Sequence, residues 1–246
     1  MYPCRPDGLL GDMEIDSVEF KFTLLRSKEP QLQKVLRKAR ATPVRGKVFF
    51  YDTPDLALYR KHLVLRGRVK DGADDDSTVK LRPLPKRGIP ARWDADGATC
   101  ELDVVGAKKV ASLKLDHEPT QGRVEKVAHG ELKLRKLFSE TQEAVIADTL
   151  RNGTALDDLA VLGPVDARKW KLTPPSFPYE LAVEEWSLPD GSRFFEVSFK
   201  VEPEETDDAK PAFASLLREL KIGPKGDPSA KTPKVLRFFA ARLRPA

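Results

Sequence analysis

The chain has only two cysteines, Cys4 and Cys100, and three histidines, His62, His117 and His129. Neither set has metal-ligand spacing, and two thiols so far apart make no disulfide framework. The expected setting is therefore a reducing, cytoplasmic one, with the histidines on the surface. No apolar run approaches the roughly 20 residues needed to cross a bilayer. Residues 1–13 carry Asp7 and Asp12 where a secretory signal would have its apolar block, so a loosely ordered tail is expected there. Charge is not one-sided: 43 basic residues face 38 acidic ones, a formal excess of +5, which gives no electrostatic case for a specific nucleic-acid partner. Trp93, Trp170 and Trp186 are not spaced as a base-stacking platform. There is no internal repeat and no low-complexity block.

What is present is a core and an alternating pattern. With 246 residues, 40% of them hydrophobic, the chain can fill one large domain, and 20 prolines announce many loops. The pattern is clearest in residues 47–84. Val64-Leu65-Arg66-Gly67-Arg68-Val69 and Thr78-Val79-Lys80-Leu81-Arg82 have the period of two that a pleated strand imposes. The polar linker between them lets the strands pair antiparallel and brings Arg66, Arg68, Lys80 and Arg82 onto one face. A solvated sheet face explains such a patch. So does a polyanion site, because arginine presents a planar fork to phosphate oxygens and lysine a compact charge.

Other stretches repeat the pattern. Residues 17–22 put Ser17, Glu19 and Lys21 opposite Val18, Phe20 and Phe22, and residues 99–104 carry Glu101 and Asp103 on the polar side. Residues 48–51 and 165–172 read as strands, the latter with Arg168 and Lys169 as alternative inward cations. Residues 179–184 and 196–202 form a hairpin about Pro189-Asp190-Gly191. Helices are expected from a Ser27 cap through Ala39, from Ser139 to about Asn152 on the capping-box pair Ser139 and Gln142, and over 210–220 and 231–243. Residues 156–162 read as a helical turn or two, while 108–118 and 124–138 stay ambiguous, with some helical periodicity and no clear caps.

Helices with apolar stripes can bury them only against the apolar sides of these strands, which turns every charged side the other way. A closed antiparallel barrel collects those sides in a lumen and leaves no exposed sheet edge. Lined by both signs of charge, it is relieved when phosphates and divalent metal fill it.

Four groups of residues, in order, resemble the CYTH domain, or triphosphate tunnel metalloenzyme superfamily, from about Glu14 onward. They are Glu19-Phe20-Lys21; Tyr51-Asp52-Thr53-Pro54-Asp55-Leu56 with Leu65-Arg66-Gly67-Arg68; Val79-Lys80-Leu81-Arg82; and Glu180-Leu181-Ala182-Val183-Glu184 leading to Glu196. The resemblance implies an α+β fold: an eight-stranded antiparallel tunnel with helices packed outside, over residues 14–246. It implies metal-dependent hydrolysis of a triphosphate, inorganic tripolyphosphate first, in a monomer or homodimer with no membrane partner. The alternatives are a tunnel that binds triphosphate or polyphosphate without cleaving it, and an activity like that of class IV adenylyl cyclases or thiamine triphosphatases. Carried over by position, Lys21, Arg66, Arg68, Lys80, Arg82 and Lys169 or Arg168 hold phosphate. Glu19, Glu101, Asp103, Glu180, Glu184 and Glu196 bind Mg2+ or Mn2+, and Glu19 with Lys21 serves the reaction. Ser17, Ser198 and Lys200 depart from the family pattern, each standing where an acid is expected.

Overall fold

The computed structural model describes residues 15–85, 89–93, 98–150, 154–222, 226 and 231–243. The expected tail over 1–13, the end of the helix at Asn152 and part of the loops after Leu84 and Ile222 lie outside these residues.

Nine strands close into one barrel. In chain order they are β1 (Ser17–Thr23), β2 (Val44–Asp52), β3 (Leu63–Lys70), β4 (Asp76–Leu81), β5 (Ala98–Val105), β6 (Lys108–His117), β7 (Ala160–Leu172), β8 (Leu181–Ser187) and β9 (Arg193–Val201). Around the barrel they run β1-β5-β6-β4-β3-β2-β7-β8-β9, and β9 returns to β1. The expectation of eight antiparallel strands is corrected twice. Residues 108–117 supply a ninth strand, and β1 pairs with β5 in parallel, Glu19 beside Asp103. Alanine, leucine and lysine favour helix, which obscured β6, although Ala111, Leu113 and Leu115 do alternate and are buried. The expected turn over 156–162 is a short 3-10 helix, Leu156–Asp158, after which β7 begins at Ala160.

The helices are α1 (Glu29–Lys38), α2 (Ala57–Arg60), α3 (Arg123–Ala128), α4 (Glu140–Leu150), α5 (Thr206–Glu219) and α6 (Lys231–Leu243). No described helix is long and apolar enough to cross a membrane. Phe213, Leu216 and Leu217 of α5 join Phe20, Val197 and Phe199 of β1 and β9 in one outer core. Val145 and Ile146 of α4 join Leu65, Val79 and Leu113 in another. α6 is different. Its Val235, Leu236 and Phe239 pack on Val48, Phe50, Leu162, Val165 and Trp186. Val48 and Phe50 stand directly opposite Arg68 and Arg66 in the β2–β3 register, so this apolar face points into the barrel and α6 covers it from inside one end.

Two sequence signals have clear structural work. Asp52, in the Tyr-Asp-Thr-Pro stretch, accepts hydrogen bonds from the backbone N–H groups of Thr53 (2.7 Å), Leu58 (2.9 Å) and Tyr59 (2.9 Å). It thus folds residues 56–61, expected to lead straight into a strand, into the turn α2, with Leu56 left-handed at φ 59°. The second signal is the Ser139–Gln142 capping box. Ser139 Oγ accepts from the Gln142 N–H (3.3 Å) and Gln142 Oε1 from the Ser139 N–H (3.1 Å). Gln142 is also fully buried, donating from Nε2 to the carbonyls of Ser77 (3.2 Å) and Leu115 (2.9 Å), so the cap fastens α4 to the sheet. Cys100 is buried in β5.

Gln142→Ala removes the cap and strands two buried carbonyls. It should lower unfolding free energy by about 2–3 kcal/mol, measured by chemical denaturation; a loss under about 0.5 kcal/mol would show the cap is not a fastening.

Candidate functional site

Each strand delivers its charges by alternation. On β3, Arg66 and Arg68 face inward beside Thr78 and Asp76 of β4. On β1, Glu19 lies between Asp103 of β5 and Lys200 of β9, and Lys21 lies opposite Ser198. On β8, Glu184 stands between Lys169 of β7 and Glu196 of β9.

The carboxylates are shared. Asp103, with no solvent exposure, has Lys21 Nζ at 2.6 Å, Lys80 Nζ at 3.2 Å and Arg82 Nε at 3.3 Å. Each Asp103 oxygen therefore has a cation within 3.3 Å, Lys21 at Oδ1 and Lys80 with Arg82 at Oδ2. Glu101 meets Lys80 at 3.1 Å, Lys114 at 3.8 Å and Lys200 in a close contact. Lys21 also reaches Glu19 at 2.9 Å. Burial pushes the Asp103 carboxyl up, but Lys21, Lys80 and Arg82 together outweigh it and hold the group below the usual range. Burial likewise opposes the Lys21 charge, and Glu19 and Asp103 outweigh it, raising the ammonium.

Arg66 is the exception. Arg68 Nε donates to both oxygens of Asp76, at 2.8 and 2.9 Å. Arg66, one step along the same strand face, donates from Nη2 to Thr78 Oγ1 at 2.9 Å and has no ion pair among the described residues. Its Nε is buried with no acceptor. Burial, and then the neighbouring Arg68, pull its pKa down to about 10. A desolvated fork with an unused donor is a cation arranged for an anion.

The sequence candidates separate accordingly. Lys21, Arg66, Arg68, Lys80, Arg82, Lys169, Glu19, Glu101, Asp103, Glu184 and Glu196 are gathered in the bore. Of the alternatives on β7, Lys169 lies 3.8 Å from Glu184, whereas Arg168 lies outside, 3.6 Å from Glu185. Glu180 precedes β8 and is exposed at the rim, paired with Lys171 at 2.7 Å and apart from Glu184. Three bore residues went unforeseen. Lys114 was masked by the ambiguity of β6, and Asp76 by the acidic linker in which it sits. Lys231 opens α6 after a Gly- and Pro-rich loop and carries no sequence signal for a bore position. Lys231 Nζ closely contacts Glu184 and lies 3.0 Å from Glu196. A cavity of about 260 Å³ opens beside Arg68, Lys70, Lys169 and Glu184. One oxygen from each of Glu19, Glu101 and Asp103 lies within 4.8 Å of the others, a spacing that suits a metal ion.

No known family profile matches the chain, and no curated protein matches it in sequence. Solved structures do match. One, from Hippeastrum, is named as an adenylyl cyclase with a dominant triphosphatase activity; it is 18% identical, with 88% of this chain and 93% of that one covered and a TM-score of 0.61. Another, from Bacillus halodurans and named for adenylate cyclase, is 16% identical, with 92% and 98% covered and a TM-score of 0.60. The chain has their fold. That fold accounts for the closed barrel, and the residues in its bore are this chain's own.

Arg66 costs the free protein stability, because its charge is desolvated and unpaired. Arg66→Met should therefore raise the unfolding free energy of the ligand-free protein, by about 1 kcal/mol in denaturant titration. A loss of similar size would show that the charge is compensated.

Proposed function

We propose that the chain is a divergent CYTH protein whose bore binds the triphosphate group and hydrolyses it, with inorganic tripolyphosphate as the leading substrate. The observation that carries this reading is Arg66, a desolvated guanidinium with an orphan Nε and no acid paired with it among the described residues. Around it, Arg68, Lys21, Lys80, Arg82 and Lys169 line the same space, enough cations to grip three phosphates along a strand face. The preference for an inorganic chain rests on the inward aromatics. Phe50 and Trp186 are buried beneath α6, and half-buried Phe194, opposite Trp186, packs on the same cluster with Lys234 Nζ 5.3 Å from its ring centre, so none offers a free face on which a base could stack.

Glu19, Glu101 and Asp103 fit a hard divalent ion, Mg2+ or Mn2+. Their oxygens are the right donors and close together. Because Lys21, Lys80 and Lys200 already oppose their charge, the ion is favoured when it arrives with the triphosphate. Bound there, it would neutralise phosphate oxygens as charge builds on them. The chain's own residues do the rest: Arg66 and Arg68 hold the phosphoryl group, Lys21 bridges towards Glu19, and Glu19 orients the attacking water.

A second reading is capture without cleavage. It is favoured by Lys200, which stands where an acid is expected and instead contacts Glu101. Phosphate release from tripolyphosphate with Mg2+, Mn2+ or chelator separates the two. The hydrolase reading expects release with metal and none in chelator; a raised Tm with tripolyphosphate and no release supports capture.

Arg66→Ala should leave the barrel folded, abolish phosphate release and weaken tripolyphosphate binding by roughly 10- to 100-fold, the loss of charge-assisted hydrogen bonds. Unchanged binding and turnover in that variant would overturn both readings. Lys169→Ala should weaken binding and Arg168→Ala should not, with calorimetry as the measure.

A further inference from the structure

Glu184 and Glu196 stand directly opposite each other on β8 and β9, two carboxylates facing the bore. Such a pair repels itself unless a cation sits between. Here the cation belongs to the chain. Lys231, the first residue of α6, is 7% exposed, and its Nζ contacts Glu184 Oε2 closely and Glu196 Oε1 at 3.0 Å. The same ammonium lies 4.3 Å from the centre of the Trp186 ring. Lys169 approaches the other Glu184 oxygen at 3.8 Å. Two carboxylates and two ammonium groups balance, which leaves no charge there for a divalent ion to neutralise.

We propose that Lys231 is a resident cation that takes the place of a divalent metal ion between Glu184 and Glu196, brought there by the seating of α6. In this chain these two acids are therefore not metal ligands, although they face the bore with Glu19, Glu101 and Asp103. Two observations support the assignment. The apolar side of α6 packs on inward-facing Val48, Phe50 and Trp186, so the helix cannot sit elsewhere without uncovering them. The ammonium has carboxylates and an aromatic face around it, a complete cation environment.

The inference draws on the proposed function only in taking the bore as a site for divalent ions. Mn2+ bound per full-length chain, counted by electron paramagnetic resonance against free Mn2+, tests it in the parent protein, in Lys231→Met and in Lys231→Met with Glu196→Gln. Methionine keeps an apolar stem over Trp186 and removes the charge. Lys231→Met should bind one more Mn2+ per chain than the parent, and the added Glu196→Gln should return the count to the parent's. Equal counts in the parent and in Lys231→Met overturn the inference. The parent's own count bears instead on Glu19, Glu101 and Asp103: a parent that binds none, with one gained in Lys231→Met, counts against that ligand set for the free ion and supports Lys231. Should Lys231→Met unfold in chelator, millimolar Mn2+ should refold it, followed by circular dichroism, and failure to refold overturns the inference.

Discussion

A charge turned into a closed barrel has exchanged bulk water for whatever stands across the bore, and this exchange governs the rest of the structure. Desolvation costs each ion several kcal/mol, recovered only where partners are close. The bore meets that condition by sharing: Asp103 serves Lys21, Lys80 and Arg82, while Glu101 serves Lys80, Lys114 and Lys200. Such sharing lets many cations crowd together without an anion from outside. Against that background an unshared cation is informative. Arg66 sits beside Arg68, which has Asp76, and has no acid of its own. Stability given up at one guanidinium is the sign of affinity held in reserve.

The parallel pairing of β1 and β5 brings the acids together. It sets Ser17 beside Glu101 and Glu19 beside Asp103, while the antiparallel pairing with β9 sets Lys200 opposite Glu19. Acids at 17, 198 and 200 would crowd against these same carboxylates. Two hydroxyls and a lysine stand there instead, so three negative charges give way to one positive, a change of four units. That difference from the CYTH pattern leaves less negative charge at this end of the bore. Lys231 does the same for Glu184 and Glu196 on the far strands. Lys200 and Lys231 follow one logic: a side-chain ammonium, fixed by the fold, stands beside carboxylates that face the bore.

Much of this was legible in the chain, for physical reasons that also mark where legibility ends. Alternation in residues 64–69 and 78–82 fixes which side chains share a face, and closure turns those faces inward, so Arg66, Arg68, Lys80 and Glu101 could be named together. Alternation is silent on partners. Nothing local says that β1 runs parallel to β5, because the residues between them fold as β2, β3, β4 and helices before β5 begins. β6 was obscured because Ala111, Leu113 and Lys114 suit a helix as well as a strand. The choice between Arg168 and Lys169 depends on which face of β7 turns inward, set by Lys169 standing opposite Glu184 of β8, a pairing that sequence does not announce. Lys231 was invisible for a different reason. A lysine at the start of a helix reads as solvated, and only the inward seating of α6 makes it a bore residue.

That seating also explains why Arg66 is so poorly solvated. Phe50 is its direct partner across the β2–β3 register, and Phe50 is 1% exposed because α6 packs over it with Leu162 and Trp186. The apolar wall beside the guanidinium is therefore assembled from β2, β7, β8 and α6, not from the strand that carries Arg66. A wall of that kind works in two directions. It lowers the effective dielectric around Arg66, which weakens its charge in the free protein and pulls its pKa down. By the same physics it strengthens the attraction to a phosphate oxygen that reaches the free Nε, since the field is not screened by water. Apolar packing by α6 and the phosphate recognition proposed for β3 would thus be one arrangement, with Lys231 holding the first residue of the helix against Glu184 and Glu196.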